Sequence, residues 1–179
     1  MAMNGKCLSL AYRSLKHVPV EVVNDYFDRV ESLDLTHNCM TELRSLMPFT
    51  KLTTLVLDHN QITSHVKFPN FPCLHTLWLN HNKITNLVVF IDQVKKSLPK
   101  LRFLSMMNNE ASPSFFNGGS FEQFEDYRMY VVSHLPQLEM LDDKRVTDDE
   151  RKEARKLYGH ARSATRTASA ARTGRKKSR

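Results

Sequence analysis

Residues 74–84 read LHTLWLNHNKI, and the spacing of the apolar side chains in this stretch decides the fold. The apolar residues and the asparagine between them are Leu74, Leu77, Leu79, Asn82 and Ile84. The same spacing occurs 22 residues earlier at Leu52, Leu55, Leu57, Asn60 and Ile62, and 22 earlier again at Val30, Leu33, Leu35, Asn38 and Met40. Three copies at one period are hard to obtain by chance, so we treat this part of the chain as an internal repeat.

The pattern L-x-x-L-x-L-x-x-N-x-I is that of a leucine-rich repeat, whose units bury their apolar faces only by stacking on one another. Its Leu-x-Leu alternation favours a short strand with both leucines on one side. The asparagine at the strand end is expected to satisfy neighbouring backbone groups with its side-chain amide. We therefore predict an α/β fold, a leucine-rich-repeat solenoid with a curved, short parallel sheet and amino- and carboxy-terminal caps.

The segments that connect the strands should form a convex side of mixed structure. Apolar residues come at every third position from 40 to 55, which favours 3₁₀ winding. The next connection contains Pro69 and Pro72 and should be extended. Leu87, Ile91, Val94 and Leu98 have the 4, 3, 4 spacing of an α-helix that ends near Pro99.

Both ends of the repeat region differ from the regular pattern. Residues 1–30 are interpreted as an amino-terminal cap, with Arg13 at the asparagine position of a degenerate repeat and a helix that begins near Pro19. The repeats and a carboxy-terminal cap should occupy 31–146, with a capping box at Ser120 and Gln123. A second capping box at Thr147 and Glu150 predicts a helix over 147–159, and 160–179 is predicted to be a disordered basic tail.

The formal charge of +7 is unevenly distributed. Residues 151–179 contain eleven Lys and Arg and one acid, so residues 1–150 contain the other fifteen bases and eighteen acids. The three cysteines have no CxxC spacing, which indicates reduced thiols of the cytosol or nucleus. No apolar run approaches a membrane span and no secretory signal is visible. We expect a cytoplasmic protein, with a nuclear location or recruitment to organelle membranes through a partner left open.

The sequence predicts no enzyme, metal site or cofactor. It contains no nucleophile–base arrangement, Gly-rich phosphate loop or metalloprotease spacing. His37, His59 and His81 share one repeat position and should form a column about 5 Å apart, the spacing of neighbouring strands. A linear column does not converge on one ion as zinc ligands must, so we interpret it as solvated surface.

The strand positions between the core leucines should face the concave side of the solenoid. Val56, Trp78 and Phe103 are large apolar residues in the same register or one step from it, and such a patch marks an interaction site. The candidate partner-binding residues are Trp78, Val56, Phe103, Asp34, Asp58, Asn80, Met107 and Asp142, with the three aspartates at the rim. The alternative is that the carboxy-terminal segment folds over the patch and hides it.

The end of the repeat region resembles the carboxy-terminal cap of the leucine-rich-repeat subclass that includes the spliceosomal A-prime protein and the acidic nuclear phosphoproteins. The cap residues are Tyr127-x-x-Tyr130, Leu135-Pro136-x-Leu138-x-x-Leu141-Asp142 and Val146-Thr147. Within the subclass the chain is similar to the leucine-rich melanocyte differentiation-associated protein family over roughly residues 30–155. Shared segments are 55–62, 71–87, 109–113, 125–128 and 135–154.

This resemblance implies a non-enzymatic adaptor that engages a Rab-family small GTPase in endosomal and melanosome-type trafficking. We expect a monomer without a cofactor. Two alternatives stay open: a nuclear ribonucleoprotein component whose basic tail contacts RNA, and a ciliary or cytoskeletal scaffold whose tail grips an acidic polymer. The absence of aromatic residues after Tyr158 argues against a tail that stacks on bases.

The tail ends in GRKKSR and also contains Arg162, Arg166 and Arg172. It is compatible with a solvated extension, a nuclear-localisation or RNA-contacting arm, or a contact with an anionic membrane or polymer. Ser169 follows Arg166 at a spacing that many kinases accept, and phosphate there would reduce the positive charge.

Overall fold

A computed structural model describes residues 2–114 and 117–159, and within them one sheet follows the chain from end to end. Its strands are β1 (Ala2–Asn4), β2 (Cys7–Ser9), β3 (Ser32–Asp34), β4 (Thr54–Val56), β5 (Thr76–Trp78), β6 (Phe103–Ser105), β7 (Met140–Leu141) and β8 (Lys144–Arg145). The strands are ordered in space as in the sequence. This arrangement confirms the α/β leucine-rich-repeat solenoid.

Parallel pairing runs from β2 to β7, and it aligns the middle leucine of each repeat with the next. Leu33 lies opposite Leu55, Leu55 opposite Leu77, and Leu77 opposite Leu104. An antiparallel hairpin closes each end of the sheet, β1 with β2 and β7 with β8. The first hairpin, which the sequence reasoning missed, turns at Gly5 with a φ of +59°, a conformation that glycine adopts at little cost.

The leucines, the isoleucines and Met40 of the three repeats are fully buried and form one continuous core with the apolar residues of the convex side. Such side chains contribute about 1.5–3 kcal/mol each when they are removed from water. Val30 and Leu8 belong to the same core, so the degenerate first repeat stacks on the regular ones.

The repeat asparagines form a hydrogen-bonded ladder along the ends of the strands. Asn60 is typical: its Nδ2 donates to the carbonyls of Leu35 and Leu57 at 2.9 and 3.1 Å, and its Oδ1 accepts from the Met40 amide at 2.9 Å. Asn38, Asn82 and Asn109 repeat this pattern. The predicted role of the asparagine is confirmed, because each amide joins two successive repeats.

The convex side has the predicted mixture of structures. A 3₁₀ turn spans Arg44–Leu46, and no helix forms where Pro69 and Pro72 lie. Three longer helices and one short helix complete the described chain: α1 (Val20–Tyr26), α2 (Leu87–Ser97), α3 (Phe121–His134) and α4 (Asp148–Tyr158).

Two of these helices begin at the predicted capping boxes. In α3 the Ser120 hydroxyl accepts from the Gln123 amide, and in α4 the Thr147 hydroxyl accepts from the Glu150 amide. Each reciprocal pair satisfies two amides that the first helical turn would otherwise leave without partners. The unit boundaries at 1–30, 31–146 and 147–159 stay predictions, and the 160–179 tail lies outside the described residues.

Candidate functional site

The concave face consists of side chains that alternate with the core leucines on the parallel strands. Val56, Trp78 and Ser105 lie side by side in one column of this face. Phe103 lies in the neighbouring column, between Thr76 and Met140. The sheet therefore brings Trp78 and Phe103 onto adjacent strands, one step out of register, as the repeat spacing indicated.

A hollow of about 470 Å³ opens on the concave face. Six of the eight candidate residues line it: Trp78, Phe103, Met107, Asp58, Asn80 and Asp142. Val56 and Asp34 lie outside its lining, on the strands β4 and β3. Met140 from β7 also lines the hollow, and the sequence reasoning did not include it among the candidates.

The apolar side chains of the hollow are open to solvent in the described structure. Trp78 is 46% exposed, Met107 39% and Met140 37%, whereas Phe103 is half-buried. Exposed apolar residues are common when they occur singly, but a contiguous group in a concave surface is typical of binding sites. The hollow is therefore an exposed apolar surface of the kind that a bound partner removes from water.

Two of the candidate polar residues are held in place by their neighbours. Asp58 accepts hydrogen bonds from the Asn80 amide at 2.8 Å and from the Asn80 side chain at 3.2 Å. Asn80 in turn accepts from the Ser105 hydroxyl at 2.7 Å and from the Met107 amide at 2.8 Å. This network joins β6 to the segments that follow β4 and β5, so it fixes the polar wall of the hollow in one arrangement.

Asp34 is oriented in a similar way on β3. Its Oδ1 accepts from the Thr36 amide at 2.9 Å, and its Oδ2 accepts from the Ser9 hydroxyl at 3.0 Å. Both donors are neutral, and no basic side chain of the described residues pairs with this carboxylate.

Asp142 has a structural role in addition to its predicted place at the rim. Its carboxylate accepts from the Met106 amide and from the Tyr127 hydroxyl, each at 2.9 Å. Burial raises the pKa of Asp142, against the lowering effect of these two hydrogen bonds. Burial, followed by the nearby charge of Asp142, raises the pKa of Tyr127 well above its ordinary value. Asp142 therefore links the segment that follows β6 to α3, and it also lines the hollow.

A buried ion pair next to this junction was missed by the sequence reasoning. Arg128 on α3 is only 4% exposed and pairs with Glu150 on α4. Its guanidinium also donates to the carbonyls of Leu141 at 3.0 Å and Arg145 at 3.3 Å. Burial acts to raise the pKa of Glu150, but the hydrogen bonds from Arg128 and the Thr147 amide prevail and lower it. The pair fixes the carboxy-terminal cap beside the hollow.

A second hollow, of about 380 Å³, adjoins the first and shares Met107 and Asp142 with it. Phe121 and Phe124 line it, and Phe121 is 72% exposed. The Lys144 ammonium lies 4.9 Å from the centre of the Phe124 ring. The sequence signal for this surface was the group of four phenylalanines in 115–124. Two of them, at 115 and 116, lie outside the described structure.

The predicted histidine column is present and continues into a longer stack. The rings of His37 and His59 lie 4.0 Å apart and those of His59 and His81 4.1 Å apart, with Tyr12 stacked on His37 at 4.4 Å. Desolvation, followed by the charges of His81 and His37, lowers the pKa of His59. Among the described residues no group of three or more His, Cys, Asp or Glu side chains could hold a metal ion.

The described structure leaves the concave face uncovered. Helix α4 packs against α3, and the Trp78 indole stays exposed. The alternative that the carboxy-terminal tail covers the face concerns residues 160–179, which lie outside the described residues. Ser169 and the tail arginines lie there as well. None of the helices described is long and apolar enough to cross a lipid bilayer.

These features define the class of the protein, a leucine-rich-repeat solenoid with an open concave surface. The profile of a leucine-rich-repeat family matches residues 6–171. The chain belongs to this family. None of the curated proteins matches the chain.

Two solved structures show how far the similarity extends. The crystal structure of the Drosophila melanogaster SNF/U2A′ complex contains a chain with a TM-score of 0.66 and 23% identity, and the match covers 84% of this chain and 80% of that chain. An internalin, inlF, from Listeria monocytogenes has a TM-score of 0.39 and 19% identity, with 72% of this chain and 38% of that chain covered. The first similarity supports the repeat fold.

Proposed function

We propose that the protein is a non-enzymatic adaptor that binds another protein on its concave face. The observation that carries the proposal is the hollow in which Trp78, Phe103, Met107 and Met140 converge, with Trp78 nearly half exposed. Tryptophan is among the residues most often found at the energetic centre of protein interfaces. A partner that covers these side chains gains about 1.5–3 kcal/mol for each large apolar group that it buries fully.

The proposed partner is a Rab-family small GTPase, and the proposed setting is endosomal and melanosome-type trafficking. The resemblance of residues 30–155 to the leucine-rich melanocyte differentiation-associated protein family supports this choice. The second candidate function is that of a nuclear ribonucleoprotein component. It is favoured by the overlap with the SNF/U2A′ complex, in which a chain of this fold is associated with another protein, and by the seven bases and no acids of 160–179.

The test is a pull-down from cell lysate with the full chain, Trp78→Ala, Met47→Ala and a 1–160 truncation. Met47 is 59% exposed beside the convex 3₁₀ turn, so Met47→Ala controls for the loss of an exposed apolar side chain elsewhere. We expect the full chain, the truncation and Met47→Ala to recover a GTPase, and Trp78→Ala to lose it with an unchanged melting temperature. If none of the four proteins recovers a GTPase, the Rab-family partner is refuted.

The two candidates differ in their dependence on salt and on the tail. An apolar concave interface should keep its affinity when the ionic strength rises and when residues after 160 are removed. RNA held by the tail should be lost steeply with salt, because each neutralised phosphate releases counterions, and it should be lost altogether on truncation. Binding of RNA by the full chain, abolished in 1–160, would favour the ribonucleoprotein component.

A further inference from the structure

We infer that the concave face binds a partner segment in which an arginine side chain lies beside a large apolar side chain. The inference rests on the proposed function, because it specifies the chemistry of the partner that the concave face accepts. It is carried by the charge and the shape of the hollow around Trp78.

The concave strand positions are acidic. The residues at these positions, 32, 34, 36, 54, 56, 58, 76, 78, 80, 103, 105, 107, 140 and 142, include three aspartates and no lysine or arginine. Within 2–114 and 117–159, Asp34 and Asp58 form no ion pair with a basic side chain. The face therefore presents negative charge that a bound cation would neutralise.

Both carboxylates are positioned before a partner arrives. The oxygens of Asp58 accept from Asn80, and those of Asp34 accept from Ser9 and Thr36. An ionised carboxylate has about four lone-pair sites, so each group retains acceptor capacity after these bonds. Their orientation costs little on binding, since it is already fixed in the free protein.

The aromatic wall of the hollow favours arginine over lysine. Asp58 and the Trp78 indole line the same hollow, so one guanidinium could stack on the indole and donate to the carboxylate. Arginine suits this geometry because its planar group stacks on aromatic faces and donates in a fork, whereas lysine acts as a point charge. An acidic segment would meet uncompensated like charge.

The remaining wall requires an apolar neighbour to the arginine. Phe103, Met107 and Met140 line the hollow beside Trp78, and a single guanidinium does not cover them. The chain's own residues 160–179 contain seven bases, but alanine is their only apolar residue type. That segment could supply arginines without filling the hollow, so the composition favours a segment of another protein.

The test uses the full chain and a library of random 12-residue peptides displayed on phage. Selected sequences should share an arginine within four positions of Leu, Ile, Met or Phe. Trp78 is the only tryptophan, so its fluorescence reports directly on the binding of tryptophan-free synthetic peptides. Asp58→Asn should weaken binding about tenfold, because it loses a charge-assisted contact in the hollow. Asp34→Asn removes a charge outside the hollow and should weaken binding less.

Two controls separate this effect from loss of folding. Asp25→Asn removes an exposed carboxylate from α1 and should leave peptide affinity unchanged. Replacement of the peptide arginine by glutamine should weaken binding to the wild-type chain about tenfold, and this comparison requires no protein variant.

Several outcomes would overturn the inference: selected peptides without a basic residue, equal affinity for wild type and Asp58→Asn, or peptide binding by 1–160 that the full chain does not show. The last result would identify the chain's own tail as the occupant. If Asp58→Asn recovers a GTPase as well as wild type does, the arginine site is refuted and the adaptor function is retained. Aspartate-dependent peptide binding with no GTPase recovered would support the arginine site and refute the GTPase as the partner.

Discussion

Adjacent residues of the middle strand have opposite environments. Leu77 is fully buried, whereas Trp78 is 46% exposed on the concave face. The cause is the two-residue period of a strand, which sends successive side chains to opposite sides. A single stretch therefore contributes both to the core and to the candidate site.

The histidines owe their repeat position to backbone conformation. His37, His59 and His81 have φ values of +52°, +54° and +54°, and Tyr12 and Asn108 lie in the same left-handed region. Histidine and asparagine enter this region more readily than most residues with a side chain. The column is thus a consequence of the turn that ends each strand, and its rings stack closer than the predicted 5 Å.

At the same scale, Asn60→Ala should be strongly destabilising. Asn60 is 3% exposed, and its loss leaves the Met40 amide without an acceptor. The carbonyls of Leu35 and Leu57 each lose one hydrogen bond and keep the one from Asn38 or Asn82. An unsatisfied buried amide costs about 1–3 kcal/mol and each lost bond about 0.5–1.5 kcal/mol, so we expect the free energy of unfolding in urea to fall by roughly 2–4 kcal/mol. The neighbouring Gln61→Ala is the control, expected within about 0.5 kcal/mol of wild type. Equal effects of the two variants would contradict the role assigned to the ladder.

At the scale of elements, the carboxy-terminal cap depends on the contact between α3 and α4. Arg128 is the buried link: it pairs with Glu150 and donates to two carbonyls of the β7–β8 hairpin region. The helical pattern alone did not show that Arg128 is buried, because a basic residue beside Tyr127 is compatible with either a solvated or a buried face. Its pairing with Glu150, 22 residues further along the chain, accompanies the buried position.

Arg128→Met should destabilise the protein by about 3–5 kcal/mol, since it removes the cationic partner of the Glu150 carboxylate and the donor to two carbonyls. The double variant Arg128→Met with Glu150→Gln should recover part of this loss. Chemical unfolding of the four proteins in the cycle measures the coupling. Additive effects would show that the ion pair does not connect the two helices.

The same pair predicts part of the acid sensitivity. The pKa of Glu150 is lower in the folded protein than its ordinary value of 4.5. Its stabilising contribution is therefore complete above about pH 4.5 and is lost as the pH falls through the lower folded value. Glu150→Gln should accordingly show a shallower loss of stability on acidification below that pH.

At the scale of the whole molecule, the buried apolar side chains of the described chain all precede residue 160. The last buried apolar side chain of the described chain is Ala154 on α4. A chain ending at residue 159 should therefore keep the melting temperature of the full chain, measured by circular dichroism. A chain ending at 146 also loses α4 and Glu150, and it should melt at least several degrees lower, as the loss of a few kcal/mol implies. Equal melting of both truncations would refute the role of α4 as part of the cap.

The sequence by itself determined the repeat, the strand faces, the asparagine ladder and the two capping boxes. These features depend on local spacing, and a period of 22 residues repeats one set of contacts along the chain. Only the tertiary structure decided that Asp142 turns inward to Tyr127, that Arg128 is buried, and that Asp58, Trp78, Phe103 and Met140 share one hollow. The reason is physical: burial of a polar group and the shape of a hollow depend on side chains from distant segments, which only the packing of the whole solenoid brings together.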